Sequence, residues 1–214
     1  MQMSAEPQKF FIGVVDFFAI LMPGALVTYV LLGIPDIADH LGTMPVRFTT
    51  EWWVVVAFCS YLIGHLLYQI GAWVVDAMDK WLRGRERGLL ISEKYRRGLL
   101  AIRALQETSM KESSHRDVVN AYQWCRDRIT LEHPEAMALV RQYEADSKFF
   151  RSLFVGLIGI FVLGVFQGWM TVDLIILAVG AVFAFVRYVN QRSKSMIQAF
   201  SLILTARSMN AQDR

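Results

Sequence analysis

The chain has 214 residues, 55% of them hydrophobic and 19% charged, with a formal net charge of +3. A mean hydropathy of +0.36 is too high for an ordinary soluble domain. Cys59 and Cys125 give no disulfide framework, and no CxxC or HxxxH spacing provides a zinc site.

The apolar residues gather in the stretches Phe10–Ile34, Trp52–Val75, Phe149–Trp169 and Met170–Val189. A bilayer core about 30 Å thick takes roughly 20 apolar residues of helix. The pattern therefore predicts an all-α membrane protein, with four transmembrane helices in two pairs and the lipid bilayer as first partner. A single basic residue, Lys9, precedes the first stretch and no small-x-small cleavage site follows it, so it reads as an uncleaved span. That span carries Asp16 about a third of the way in and Pro23-Gly24 near its middle, where proline removes a backbone hydrogen bond.

The connection 34–51 holds Asp36, Asp39 and Glu51 against the single basic residue Arg47. By contrast, 79–97 holds Lys80, Arg83, Arg85, Arg87, Lys94, Arg96 and Arg97. The positive-inside rule then predicts an external 34–51 loop and a cytoplasmic middle segment, with both termini cytoplasmic. The organisation expected is an N-terminal membrane pair at 1–78, a cytoplasmic helical segment at 79–148, a second membrane pair at 149–190 and a cytoplasmic helical tail at 191–214. Between 79 and 148 lie 14 basic and 11 acidic residues, a mixed helical surface rather than a nucleic-acid-facing stripe.

On the second span Ala57, Tyr61, Gly64, Tyr68 and Gly71 recur at 4-3-4-3 spacing. Small residues at such spacing let helices approach closely in lipid. Ala57, Gly64 and Gly71 are thus the expected helix-packing positions, and they predict a homo-oligomer. In the middle segment, Ser92 and the Ser114–Asp117 capping box predict helix starts, the second followed by a stripe of Val118, Tyr122, Cys125 and Ile129. Pro134 suits the first turn of a helix that runs on into the third span.

The last two spans are short between charges: fifteen residues separate Arg151 from Gln167 and thirteen separate Asp173 from Arg187. Full spans are expected, with Arg151 and Arg187 snorkelling to the inner interface and Asp173 and Trp169 at the outer one. A re-entrant hairpin is the alternative. Beyond Val189 a helix is expected to about Ser208, whose flank of Met196, Ile197, Phe200, Ile203 and Leu204 needs a partner; the middle helices are the obvious one.

Asp16 is the leading functional candidate, because an acid on a lipid-spanning helix is costly unless neutral, paired or wet. Counted inward from the cytoplasmic edges it lies level with Tyr68 and one turn from His65. The intramembrane polar cluster Asp16, His65 and Tyr68 reads either as a proton relay or as a polar clamp that sets helix register; the clamp is the commoner use. Arg128 and His133 have the Arg-x4-His spacing of HEPN-type ribonucleases, but Ile129 stands where those nucleases carry a polar residue. The pair reads as a solvated face and a helix cap. Phosphate loops, nucleophile elbows and paired catalytic carboxylates are missing from the sequence, so a protein without enzymatic activity or cofactors is expected.

The layout as a whole, with the segment Asp16-Phe17-Phe18 to Pro23-Gly24 and the block Asp146–Leu153, resembles small bacterial four-pass proteins that serve as membrane components of anti-phage defence systems. The resemblance implies an inner-membrane sensor or channel-like effector whose cytoplasmic helices dock a protein partner. A passive membrane scaffold for a soluble partner is the alternative, and neither involves nucleic acid directly.

Overall fold

The computed structural model describes the backbone of residues 7–34, 49–84, 93–109 and 120–212, and the side chains of 17, 19–34, 49–79, 81, 93–109 and 120–209. The described secondary structure is all helical: α1 (Pro7–Leu32), α2 (Thr50–Gly84), α3 (Glu93–Ser109), α4 (Ala121–Glu132), a 3-10 turn (Pro134–Ala136), α5 (Met137–Phe166) and α6 (Thr171–Gln212). Three segments, Thr50–Asp79, Pro134–Phe166 and Thr171–Met209, are long and apolar enough to cross a bilayer. The described part of α1 adds a shorter apolar run, Ala19–Leu32. Only 17%, 28% and 22% of the most apolar windows of the long helices are buried. Phe58, Leu66 and Trp73 accordingly face outward, and lipid is the surrounding that covers such a surface without cost. This is a membrane protein.

The chain divides into two compact units, Met1–Leu82 with Ala145–Tyr188, and Arg83–Glu144 with Val189–Arg214. The boundaries at 144–145 and 188–189 fall within α5 and α6.

The first unit is packed through small residues. A methyl group placed on Gly24 of α1 would lie 1.8 Å from the Ser60 carbonyl oxygen and 2.6 Å from the Gly64 nitrogen of α2. The buried seam of α2 runs through Ser60, Gly64, Gly71 and Val75. Ala57, expected on this face, is exposed: the contact with Gly24 is made at Ser60 and Gly64, about one and two turns away. Gly156 brings α5 against Val27 of α1 and Leu67 of α2. Phe154 and Phe185 join α5 to α6 with ring centroids 5.4 Å apart.

The turn between α5 and α6 closes by hydrogen bonds that spare the helix end its orphan carbonyls. Trp169 N–H donates to Gly164 O (2.9 Å) and Gly168 N–H to Val165 O (3.3 Å). This is a Schellman motif, and Gly168 supplies its left-handed residue at φ 67°. The Trp169 indole folds back over Gly164, where an added Cβ would meet it at 2.9 Å.

The second unit has a conventional apolar core. Ile102 and Leu105 of α3, Ala121, Cys125 and Ile129 of α4, and Met137 and Val140 of α5 pack with Met196, Ala199, Phe200 and Ile203 of α6. The tail flank thus finds the partner expected from its sequence. Asn120 caps α4, its side chain accepting from Gln123 N–H at 2.9 Å. The capping box expected at Ser114–Asp117 and the cap at Ser92 lie outside the described residues, as do residues 35–48 of the 34–51 loop.

Candidate functional site

Near one end of the first unit, α2, α5 and α6 each place a polar side chain at a common point. Arg151 Nη1 donates to both carboxylate oxygens of Asp76, at 3.1 and 3.2 Å. Tyr188 O–H donates to Asp76 Oδ1 at 2.8 Å. The Arg151 guanidinium carbon stands 4.5 Å from the centroid of the Tyr68 ring, in cation–π range. Arg151 is 5% exposed and Tyr188 fully buried. The ion pair is therefore largely shielded from solvent, and screening by salt is weak there.

Local sequence explains the fit. A Cβ on Gly71 would lie 2.9 Å from Arg151 Cγ, so only glycine leaves room for the arginine stem along α2. Tyr68 and Gly71 are three residues apart and so share a helix face, one under the guanidinium and the other under the stem. Arg151 Nε is buried without a hydrogen-bond partner, as is Ser152 Oγ beside it. Arg151, expected to snorkel to the inner interface, is buried against the Asp76 carboxylate and the Tyr68 ring. Arg187 remains half-buried, its guanidinium 5.5 Å from the Phe150 ring centroid.

The other sequence candidates are distributed differently. Asp16 lies on α1, but its side chain is outside the described residues. His65 is exposed and meets Tyr61 edge-on with ring centroids 4.6 Å apart; Tyr61 in turn stacks on Phe17 at 5.5 Å. His65 and Tyr68 thus belong to separate contacts, an aromatic ladder and the arginine site. Gly64 and Gly71 both serve contacts within the chain, with Ile20 and Arg151 respectively. Arg128 pairs with Glu132 at 2.7 Å and lies over Trp124, while exposed His133 caps α4 through its backbone. That is the solvated face and helix cap expected of them.

Sequence reasoning missed the pairing of Asp76 with Arg151. The sequence put both at edges of apolar stretches assigned to one side of the membrane, but Asp79 lies three residues from Asp76 and Lys148 three from Arg151, which leaves the pairing open.

The second unit holds a further, partly buried polar network. Tyr122 O–H donates to Glu144 Oε1 at 2.5 Å, which leaves its oxygen to accept from Ser195 Oγ at 2.7 Å. Arg126 approaches the same carboxylate at 3.7 Å. Burial, and then the Glu144 charge, raise the Tyr122 phenol well above its ordinary value. Burial likewise pushes the Cys125 thiol up to about 12. Among the described residues no three His, Cys, Asp or Glu side chains converge as a metal site. Compared with protein-family models, curated proteins and solved structures, the chain finds no match.

Proposed function

We propose that this chain is a four-pass protein of the bacterial inner membrane, with residues 80–148 and both termini in the cytoplasm. It acts without enzymatic chemistry, as a homo-oligomeric sensor or channel-like effector of the kind used in anti-phage defence, and its cytoplasmic helices dock a protein partner. The supporting observation is the Asp76–Arg151–Tyr188 site. A buried ion pair gains little net stability over apolar packing, because desolvating two charges offsets their attraction. Its presence across three helices fits a role in setting their register, and a register held by one polar contact can be released by breaking it. The site then holds the resting arrangement.

The passive scaffold keeps one observation in its favour. In the apolar unit the hydroxyls of Thr28 and Ser60 bond back to their own helices, at Gly24 O and Val56 O. Both hydroxyls are thus satisfied within their own helices.

The test compares wild type with Asp76→Asn and Arg151→Met, reading membrane potential with a voltage-sensitive dye and oligomer mass in detergent. Depolarisation by either variant with the oligomer retained supports the effector. Cells that stay polarised in all three cases, wild type under phage challenge included, leave the scaffold.

A further inference from the structure

The α5–α6 turn borders an apolar groove of about 630 Å³ on the first unit. Leu26 of α1, Leu157 and Ile160 of α5 and Leu177 of α6 line its length, and Trp169 and Asp173 stand at the turn. The size and the apolar lining with one polar group suit a small amphiphile. The polar group is a single charge: the exposed Asp173 carboxylate makes no hydrogen bond or ion pair with any described residue. Trp169 is held in place by the Gly168 turn and by its stacking on Gly164.

We propose that this groove binds a phospholipid whose headgroup carries a primary ammonium. The inference rests on reading the chain as a membrane protein with the 167–170 turn at a bilayer surface. Charge complementarity selects the occupant. Asp173 offers the ammonium a carboxylate acceptor, the Trp169 indole offers it a π-face, and the leucine-lined length takes an acyl chain. An anionic headgroup would meet repulsion from Asp173. A trimethylated one would keep the indole contact and lose the N–H donors.

The full chain would be placed in nanodiscs of equal parts phosphatidylethanolamine, phosphatidylcholine and phosphatidylglycerol with identical acyl chains. Lipids retained after detergent extraction would be counted by native mass spectrometry. Wild type should retain phosphatidylethanolamine about three- to five-fold over the others, the scale of a partly exposed ion pair. Asp173→Asn should remove the preference, and Leu177→Trp, which fills the groove, should reduce retention of all three. Equal retention by wild type, an unchanged preference in Asp173→Asn, or a second copy of the chain in place of lipid would each overturn the proposal. Alkaline carbonate extraction separates the two readings. A chain released by carbonate is not integral to the membrane, whereas one that stays and shows no lipid preference refutes the groove alone.

Discussion

Gly24 and Gly64 meet backbone against backbone: a methyl on Gly24 would lie 2.9 Å from Gly64 Cα, and one on Gly64 would lie 2.2 Å from the Ile20 carbonyl oxygen. Lipid tails are as apolar as the helices, so close approach and dispersion supply much of what holds α1 to α2. The glycines pack two helices of one protomer against each other.

Gly64→Ala should destabilise the chain in detergent by about 1–3 kcal/mol, as overpacking against fixed backbone does. Gly159→Ala is the control, because nothing lies within 4 Å of its added Cβ. There the helix propensity of alanine should stabilise by up to about 1 kcal/mol. Thermal melting of both variants decides the matter; equal shifts of the same sign would refute the packing account.

Arg151→Met removes the cation facing Asp76 and should cost about 1–3 kcal/mol, below the full value for a buried pair because the Asp76 side chain is 20% exposed. Asp76→Asn combined with Arg151→Met should restore part of the loss. A double-mutant cycle by thermal unfolding measures the coupling. Simple additivity would mean that the two side chains do not stabilise each other.

Tyr122→Phe withdraws a hydrogen bond to the Glu144 carboxylate and one shared with Ser195. The expected loss is about 1.5–3 kcal/mol, typical of bonds to charged groups. It should appear as faster amide exchange in α4, read by hydrogen–deuterium exchange of the whole chain. Unaltered exchange in α4 would show that the network contributes nothing there.

Cys125 gives the second unit a pH dependence of definite sign. Its thiol titrates near 9.0 when exposed and at about 12 when folded. Between those values the folded chain keeps a proton that the unfolded chain releases, so stability falls as pH rises from about 9 toward 12. The raised Tyr122 phenol acts in the same direction above pH 10.0. Cys125→Ala should flatten the curve from pH 9 to 10. In a Cys59→Ala background, Cys125 should resist maleimide at neutral pH until the protein unfolds. Rapid labelling of the folded chain would contradict the burial.

Topology has a direct measure. In a background without Cys59 and Cys125, Gly42→Cys should react with an impermeant thiol reagent outside intact cells, while Leu90→Cys and Asn210→Cys should react only after lysis. External labelling at either of the last two would invert or break the proposed arrangement.

Run length and periodicity along the sequence were enough to find the long apolar helices and the amphipathic tail, because a helix repeats its faces every 3.6 residues and solvent chemistry follows them. The tail flank at Met196, Phe200 and Ile203 was legible for that reason, as was the passage of one helix from Pro134 into an apolar span. The polar site was not. Asp76 and Arg151 are 75 residues apart, and Asp76 and Tyr188 are 112 apart; no local period links them. The Ala57–Gly64–Gly71 pattern marked a small-residue face, but which neighbour fills each position depends on where two helices cross. Tertiary packing set Gly64 against the Ile20 backbone and Gly71 under the Arg151 stem, and left Ala57 open, because close contact between straight helices is confined to the turns around their crossing point.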